Sequence, residues 1–149
     1  MIECAVATAR EGKVIRKMES QIFPDAWSER SLADFFARPD AVAFLCFFNE
    51  KPCGYLIGTA NGAEGEIFRI ATLPTARRRG VARRLLDAYC QTMAQGSAVF
   101  LEVRASNTPA RLLYESAGFS VIGERKNYYV RPTENAVIYR HIIQKEELS

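Results

Sequence analysis

Histidine is nearly absent from the sequence, and the four cysteines never form the C-x-x-C spacing of a zinc site or a redox dithiol. The single histidine, His141, stands in an apolar stretch near the end of the chain and is interpreted as structural. Cys4, Cys46 and Cys90 lie among apolar residues and are interpreted as small core side chains. The sequence therefore predicts no metal site and no histidine-based nucleophilic triad.

Long apolar runs are missing as well. The chain begins Met1–Ile2–Glu3, without the basic and then apolar stretch of a secretory leader. No apolar run approaches the roughly 20 residues that a membrane-spanning helix needs. We therefore expect a soluble, cytoplasmic protein in a reducing setting, with no membrane partner.

The common nucleotide-binding signatures are absent. No G-x-G-x-x-G follows a strand and no Walker pattern occurs, so neither a Rossmann site nor a P-loop is predicted. Twenty Lys+Arg against seventeen Asp+Glu give a net charge of +3, which is only mildly basic. A nucleic-acid-binding protein normally shows a broad basic face with aromatic or helical reading elements. We therefore expect no nucleic-acid partner.

What the sequence does contain is a succession of short apolar segments separated by turn residues. Its 149 residues, 48% of them hydrophobic, suit one globular domain over residues 1–149. Strands are expected at residues 2–7, 41–48, 53–60, 66–72, 98–104, 120–130 and 136–143. Helices are expected from an N-cap at Thr8 to Gln21, after an N-cap at Ser28, at about 79–95 and at 107–117. The first helix should bury a stripe formed by Val14, Ile15, Met18 and Ile22. Hairpins followed by strand–helix–strand units predict a mixed α/β sheet with a parallel pair in its middle.

The segment Arg77–Ala82 joins an apolar strand to a helix in which Leu85 and Tyr89 follow helical spacing. Five arginines fall between positions 77 and 84, so the local charge is much stronger than the net charge indicates. A turn that contains Gly80 and opens a helix presents N–H groups and the positive dipole end, which favour a phosphate. On this turn alone, a pyrophosphate site and a solvated basic loop are equally open.

Several motifs in the same order carry a family resemblance. Arg77-x-x-Gly80-x-Ala82 resembles the Q/R-x-x-G-x-G/A pyrophosphate motif of the GNAT acetyltransferases. Leu101–Asn107, Leu113–Phe119 and Asn127–Tyr129 are similar to motifs of the bacterial ribosomal-protein-alanine N-acetyltransferases, which modify protein N-termini. The resemblance implies a GNAT-like fold with a central mixed, mostly antiparallel sheet of about seven strands and about four flanking helices.

The resemblance also implies a role for each matching residue, with acetyl-CoA as the co-substrate. The strand end Ile70–Thr72 would offer backbone groups to the pantetheine arm, and the turn would hold the pyrophosphate. Glu102 matches the general base of the family and Tyr114 its general acid. The implied coenzyme-binding residues are Ile70, Ala71, Thr72, Arg77, Arg78, Arg79, Gly80, Val81, Ala82, Arg83 and, near the thiol, Asn107.

Glu102 and Tyr114 suit acetyl transfer to an amine. An N-terminal amine has a pKa of roughly 8, so it is mostly protonated at neutral pH and must lose a proton before it attacks a thioester. A phenol is a reasonable proton donor to the departing thiolate of CoA. Alternatively, Glu102 forms a structural ion pair with Arg104 on the same strand face, and Tyr114 is a core residue beside Leu113 and Phe119.

The sequence thus predicts an N-acetyltransferase that transfers acetyl to a primary amine by direct attack in a ternary complex. The first candidate acceptor is the N-terminal α-amine of a protein. A small amine or a lysine side chain as acceptor, and a non-catalytic CoA-binding module, stay open as alternatives. Phe23, Trp27, Tyr128 and Tyr129 could line an acceptor groove, although packing explains aromatic residues there equally well. The oligomeric state is open between monomer and dimer.

Overall fold

The computed structural model describes residues 1–145, which form seven β-strands and four α-helices. The strands are β1 Ile2–Val6, β2 Ala41–Phe48, β3 Lys51–Ala60, β4 Glu64–Thr72, β5 Ala98–Arg104, β6 Ser120–Tyr129 and β7 Glu134–Ile142. The helices are α1 Gly12–Ile22, α2 Glu29–Phe36, α3 Val81–Gln91 and α4 Thr108–Ser116, and short 3-10 turns at Ala9–Glu11 and Pro74–Ala76 precede α1 and α3. No helix within residues 1–145 has the length and apolar character needed to span a membrane.

The strands join in one sheet in the order β1-β2-β3-β4-β5-β7-β6. The pairs β1–β2, β2–β3, β5–β7 and β6–β7 are antiparallel, whereas β4 and β5 run parallel with Ile67 opposite Leu101. The predicted mixed, mostly antiparallel sheet with a parallel pair near its middle is therefore confirmed.

The chain divides into two compact units, and the first is formed by residues 1–60 and 68–92. Its core is a cluster of buried side chains that includes Ile15 and Met18 of α1, Leu32 and Phe35 of α2, and Tyr55 of β3. Burial of a large apolar side chain is worth about 1.5–3 kcal/mol, so this cluster holds α1 and α2 against the strands.

The second unit is formed by residues 61–67 and, within the described part of the chain, by residues 93–145. Along β5, Val99, Leu101 and Val103 are buried, while Glu102 between them projects to the other face of the strand. The strand pairs with β7, where Glu102 lies opposite Ile138. This alternation places the predicted base on the face of β5 opposite the apolar one.

The predicted N-caps of the first two helices are partly confirmed. The Ser28 hydroxyl accepts a hydrogen bond from the Ser31 N–H at 3.0 Å and caps α2 as expected. Thr8 also caps, in a capping box with Glu11, but it caps the 3-10 turn, and α1 begins only at Gly12. The prediction that Thr8 is an N-cap is therefore confirmed, but the first turn after it is a 3-10 turn and not α-helix.

The third helix is shorter than the predicted range of 79–95. Arg78 and Gly80 have φ values of 66° and 79°, which an α-helix excludes, so α3 begins at Val81. At its other end the Thr92 hydroxyl donates to the Tyr89 carbonyl at 2.7 Å, a local bond that competes with the helix.

The predicted buried stripe of α1 is wrong at one position. Ile15 and Met18 are buried, but Val14 is 36% exposed and Glu19 has no exposed surface. Positions 15, 18, 19 and 22 lie on one side of a helix because of its 3.6-residue period, so Glu19 occupies the place assigned to Val14.

The interpretation of Cys4 and Cys46 as separate core thiols is also wrong. A disulfide joins them at directly opposite positions of β1 and β2. Cys53 and Cys90 are free, the first buried and the second half-buried.

Candidate active site

The turn between β4 and α3 presents the start of α3 without a side-chain cap. Gly80 is the N-cap in the left-handed conformation, and the helix opens with a hydrogen bond from the Arg84 N–H to the Gly80 carbonyl at 3.0 Å. The N–H groups in the first turn of a helix have no partner within the helix, and glycine offers them no side chain. The turn therefore has the backbone donors and the positive dipole end that suit a phosphate.

Several arginines of the turn contact the protein itself. The Arg79 guanidinium lies 4.5 Å from the centroid of the Phe48 ring. Arg83 Nε donates to Asp87 at 3.1 Å, and Arg84 Nη1 donates to a backbone carbonyl of β1 at 3.2 Å. These contacts engage three of the five arginines, whereas the backbone N–H groups at the start of α3 have no partner within the helix and are candidates for direct contact with an anion.

Gly54 allows α3 to lie close to β3. A Cβ at this position would lie 2.8 Å from the carbonyl oxygen of Ala71 and 2.8 Å from Cγ1 of Val81. Ala71 belongs to the strand end Ile70–Thr72, and Val81 is the first residue of α3. The missing side chain thus lets the strand end and the helix start both approach β3. Coenzyme contacts of Ile70, Ala71 and Thr72 stay a prediction.

In the second unit, Glu102 is ion-paired with a residue of β6. The Glu102 side chain is 19% exposed, and its Oε1 accepts a hydrogen bond from Arg125 Nε at 2.7 Å. This hydrogen bond, together with the charge of Glu102, raises the pKa of the Arg125 guanidinium. No hydrogen bond within the described residues 1–145 engages the second oxygen, Oε2.

The suggested ion pair between Glu102 and Arg104 is therefore wrong. Arg104 pairs with Glu134 at 3.3 Å instead, because the hairpin between β6 and β7 brings Glu134 to the end of β5. Arg104 also donates to the carbonyl groups of Pro132 at 3.0 Å and Val130 at 3.3 Å. It thereby holds the hairpin closed.

The two tyrosines of that hairpin differ in their surroundings. The Tyr129 ring packs 4.5 Å from the guanidinium carbon of Arg104, whereas Tyr128 is 54% exposed. Tyr128 is therefore the one with a surface open to a ligand, and an acceptor role for either ring stays a prediction.

Tyr114 combines a packed ring with a hydroxyl group for which residues 1–145 provide no hydrogen-bond partner. The residue is 5% exposed, and its ring centroid lies 5.9 Å from that of Phe119 and 6.1 Å from that of Tyr139. Burial raises the pKa of the Tyr114 phenol well above its ordinary value, so the hydroxyl keeps its proton. Among the residues that the structure describes, none is hydrogen-bonded to this hydroxyl. The core interpretation is thus correct for the ring, and the hydroxyl stays open for the predicted acid role.

Asn107 is the N-cap of α4. Its Oδ1 accepts a hydrogen bond from the Ala110 N–H at 3.3 Å. The side chain therefore has a structural function at the helix start, and its contact with the coenzyme stays a prediction.

The first unit contains an open pocket of about 790 Å³ beside the connection between α1 and α2. The rings of Trp27, Phe35 and Phe68 form its apolar part, with centroids 6.1 Å apart in each pair. Asp25 and Asp34 add two carboxylates to the lining. Trp27 thus lies on a cavity as the acceptor hypothesis requires, while Phe23 is not part of this lining.

Sequence reasoning missed a buried charged cluster, which we call the Glu19 cluster and which consists of Glu19, Tyr55 and Arg69. Glu19 Oε1 accepts from the Tyr55 hydroxyl and from Arg69 Nε at 2.8 Å, and Oε2 accepts from the Trp27 N–H at 2.8 Å and from Arg69 Nη2 at 3.1 Å. The Arg69 guanidinium stacks 3.7 Å from the centroid of the Phe23 ring. The cluster therefore contacts the same connection that carries Trp27.

Two other reactive side chains do not form a competing site. Burial and, after it, the charge of Asp87 raise the pKa of the Cys90 thiol to about 11, so the nucleophilic thiolate is scarce at neutral pH. His141 Nδ1 lies 3.1 Å from the Gly118 carbonyl oxygen, and its ring packs 5.1 Å from Phe119. These contacts fit the structural interpretation of His141.

Comparison with known proteins decides between the possible families. The sequence model of the Acetyltransferase (GNAT) family matches residues 13–119. The chain belongs to the GNAT acetyltransferase family. GNAT enzymes use acetyl-CoA as acetyl donor, so the predicted enzyme class and co-substrate are confirmed.

Individual GNAT relatives agree with this assignment. The chain is 34% identical over 131 residues to the ribosomal protein bS18-alanine N-acetyltransferase of Escherichia coli strain K12, which covers 82% of this chain and 83% of that enzyme. It is 48% identical over 80 residues to the enzyme of the same name from Haemophilus ducreyi, and this match covers 50% of the chain and 55% of that protein. The crystal structure of the Escherichia coli ribosomal-protein-S18-alanine N-acetyltransferase matches with a TM-score of 0.88 at 28% identity, over 99% of this chain and 97% of the other. The predicted GNAT fold is confirmed.

Proposed function

We propose that this GNAT enzyme acetylates the N-terminal α-amine of a protein whose first residue is alanine, with ribosomal protein bS18 as the first candidate. The observation that carries the proposal is the likeness to the Escherichia coli bS18-alanine N-acetyltransferase, which extends over 82% of the chain in sequence and 99% in structure. We further propose that residues 1–149 act as one catalytic domain in the cytoplasm, because the family match includes residues of both compact units.

On this proposal the turn before α3 binds the pyrophosphate of acetyl-CoA. The N–H groups from Arg78 to Arg83 are the donors, and the left-handed Gly80 keeps the approach free of a side chain. The arginines raise the local concentration of the anionic coenzyme. Ile70–Thr72 contact the pantetheine arm, and Asn107 lies near the thiol.

In the proposed mechanism Glu102 accepts a proton and Tyr114 donates one. Glu102 accepts a proton from the N-terminal ammonium group, directly or through a water, and Arg125 on Oε1 leaves Oε2 to do so. The free amine attacks the thioester carbonyl carbon, the C–N bond forms and the C–S bond breaks. The departing thiolate takes its proton from the Tyr114 hydroxyl, and the second amine proton restores the phenol through solvent. Glu102 then releases the proton that it accepted to solvent. Orientation of amine and thioester in one ternary complex supplies much of the acceleration.

Turnover of acetyl-CoA with matched peptides tests this function. The assay measures release of the CoA thiol with an alanine-first bS18 peptide, with the same peptide blocked by N-terminal acetylation, and with small amines. We expect turnover with the free peptide alone. Turnover with a blocked, lysine-containing peptide would assign a lysine acetyltransferase instead. Tight acetyl-CoA binding without turnover on any amine would assign a non-catalytic module.

A further inference from the structure

Glu19 is a buried charge that the proposed chemistry does not use. Removing a carboxylate from water is costly unless it is paired and fully hydrogen-bonded. Each oxygen of Glu19 accepts two hydrogen bonds, and the Arg69 guanidinium supplies one to each in a bidentate pair. Burial alone would lower the pKa of Arg69, but its hydrogen bonds and charge pairing with Glu19 outweigh burial and raise the pKa. The guanidinium of Arg69 therefore stays charged.

The Glu19–Arg69 ion pair contacts the segment between α1 and α2, residues 23–28, which we call the acceptor loop. The two backbone hydrogen bonds that the structure describes for residues 24–27 both go to it: the Trp27 N–H donates to Glu19, and the Asp25 carbonyl accepts from Arg69 Nη2 at 3.3 Å. Arg69 Nη2 also lies 3.8 Å from the Asp25 carboxylate, and its guanidinium covers the Phe23 ring. The Glu19–Arg69 pair thus contacts the loop at Phe23, Asp25 and Trp27, which are spread along its length.

The apolar core shares only the ring of Tyr55 with this arrangement. Ile15, Met18, Leu32 and Phe35 belong to the same buried cluster as Tyr55, and this cluster contains no charged side chain. Loss of the charge should therefore loosen the loop before it unfolds the unit. Trp27 forms part of the pocket wall, so a looser loop changes the pocket and not the turn before α3.

We propose that Glu19 and Arg69 are positioning residues, which fix the acceptor loop so that Trp27 forms the wall against which the first residues of the acceptor peptide bind. The proposal rests on the proposed function and adds a determinant of acceptor affinity. Because the pair acts through the loop, it should set the KM of the peptide and leave acetyl-CoA affinity unchanged.

Trp27 is the only tryptophan of the chain, so its fluorescence reports on the loop directly. Glu19→Gln keeps the size of the side chain but removes the charge and replaces an acceptor oxygen by a donor that faces N–H groups. We expect the peptide KM to rise about tenfold, which corresponds to about 1.4 kcal/mol. The Kd of acetyl-CoA should stay within about twofold. Trp27 emission should shift to longer wavelength, and acrylamide should quench it more strongly.

A matched pair of tyrosine variants separates positioning from general loss of stability. Tyr55→Phe removes one donor to Glu19, and Tyr89→Phe removes the buried hydrogen bond to the Thr59 carbonyl, 2.6 Å long, in the same unit. Only Tyr55→Phe should raise the peptide KM and expose Trp27. Arg69→Lys keeps the charge without the bidentate fork and should behave like Glu19→Gln.

The proposal is overturned if the folded Glu19→Gln and Tyr55→Phe variants raise the KM of the peptide and the Kd of acetyl-CoA by equal factors. It is equally overturned if their Trp27 fluorescence matches that of Tyr89→Phe. If the unmodified enzyme acetylates no N-terminal peptide, the proposed function fails instead, and the fluorescence comparison still decides whether the Glu19 cluster positions the loop.

Discussion

Replacing Gly54 by alanine tests whether the close approach of α3 to β3 positions the turn Arg77–Ala82, which we propose binds acetyl-CoA. The added Cβ would lie 2.8 Å from the Ala71 carbonyl oxygen, 2.8 Å from Val81 Cγ1 and 3.4 Å from Leu85 Cδ1. Carbon atoms attract one another best at about 3.5–4.0 Å, so α3 must move by about 0.7 Å or more to relieve the contact with Val81. The carbonyl of Ala71 belongs to a strand and cannot rotate away.

The displacement of α3 should lower the free energy of unfolding. Overpacking of a filled interior destabilises by about 1–3 kcal/mol, and for a chain of this size each kcal/mol lowers Tm by about 2–4 °C. Val81 is the first residue of α3, so the N–H donors of the turn move with it. A loss of about 1.4 kcal/mol in hydrogen bonding to the pyrophosphate would raise the Kd of acetyl-CoA about tenfold.

Gly123→Ala is the matched control, because it changes another strand glycine with no positive φ. Its Cβ would contact only Ile138 Cδ1, at an ordinary 3.7 Å. Urea unfolding should show a clear decrease in the free energy of unfolding for Gly54→Ala and almost no decrease for the control. Titration calorimetry with acetyl-CoA, at a temperature where both variants are folded, then isolates binding. Equal acetyl-CoA affinity in the two variants would refute the argument that Gly54 sets the position of the turn.

Three further predictions concern the proposed site and its surroundings. Glu102→Gln and Tyr114→Phe should each lower kcat by about 100-fold or more while acetyl-CoA binds as before, and wild-type kcat in a thiol-release assay of both variants would contradict their catalytic roles. Gly80→Asp adds a negative charge where φ is 79°, so calorimetry should detect no acetyl-CoA binding, whereas Gly80→Asn should keep most of it. The Cys90 pKa is raised from 9.0 to about 11, so this thiol contributes stability that is complete below pH 9 and is lost as pH rises to 11. Cys90→Ala should reduce the fall of the unfolding free energy across that window by about 2 kcal/mol, and identical pH dependence in urea titrations would exclude the shift.

The features that the sequence predicted well are those with local causes. Apolar periodicity and turn residues decide where strands and helices lie, and Ser28 caps α2 through a residue three positions away. Gly80 was expected at a special position of the turn, and its left-handed conformation is the physical reason for it. The start of α3 was predicted at residue 79 but lies at Val81, because the left-handed Gly80 is the N-cap of the helix and not part of it.

Pairings between distant elements could not be predicted in the same way. The partner of Glu102 is Arg125, which lies on β6, two strands away in the order β5-β7-β6. The apolar periodicity of a strand indicates which of its faces is buried but does not specify which strands become its neighbours in the sheet. Arg104, which shares a strand face with Glu102, was the nearer candidate along the chain and proved to pair with Glu134.

Glu19 carried a signal that the prediction did not use. It stands four residues after Ile15 and one after Met18, which places it on the apolar side of α1 rather than beside the exposed Lys17. A carboxylate at such a position requires donors from other elements, and a guanidinium satisfies both of its oxygens at once. Arg69, in the apolar segment Ile67–Ala71, is a charge of opposite sign in an equally unfavourable setting. Two opposite charges that each lie on a buried face are therefore expected to pair with each other. The loop that both side chains contact is the place where we expect their functional role.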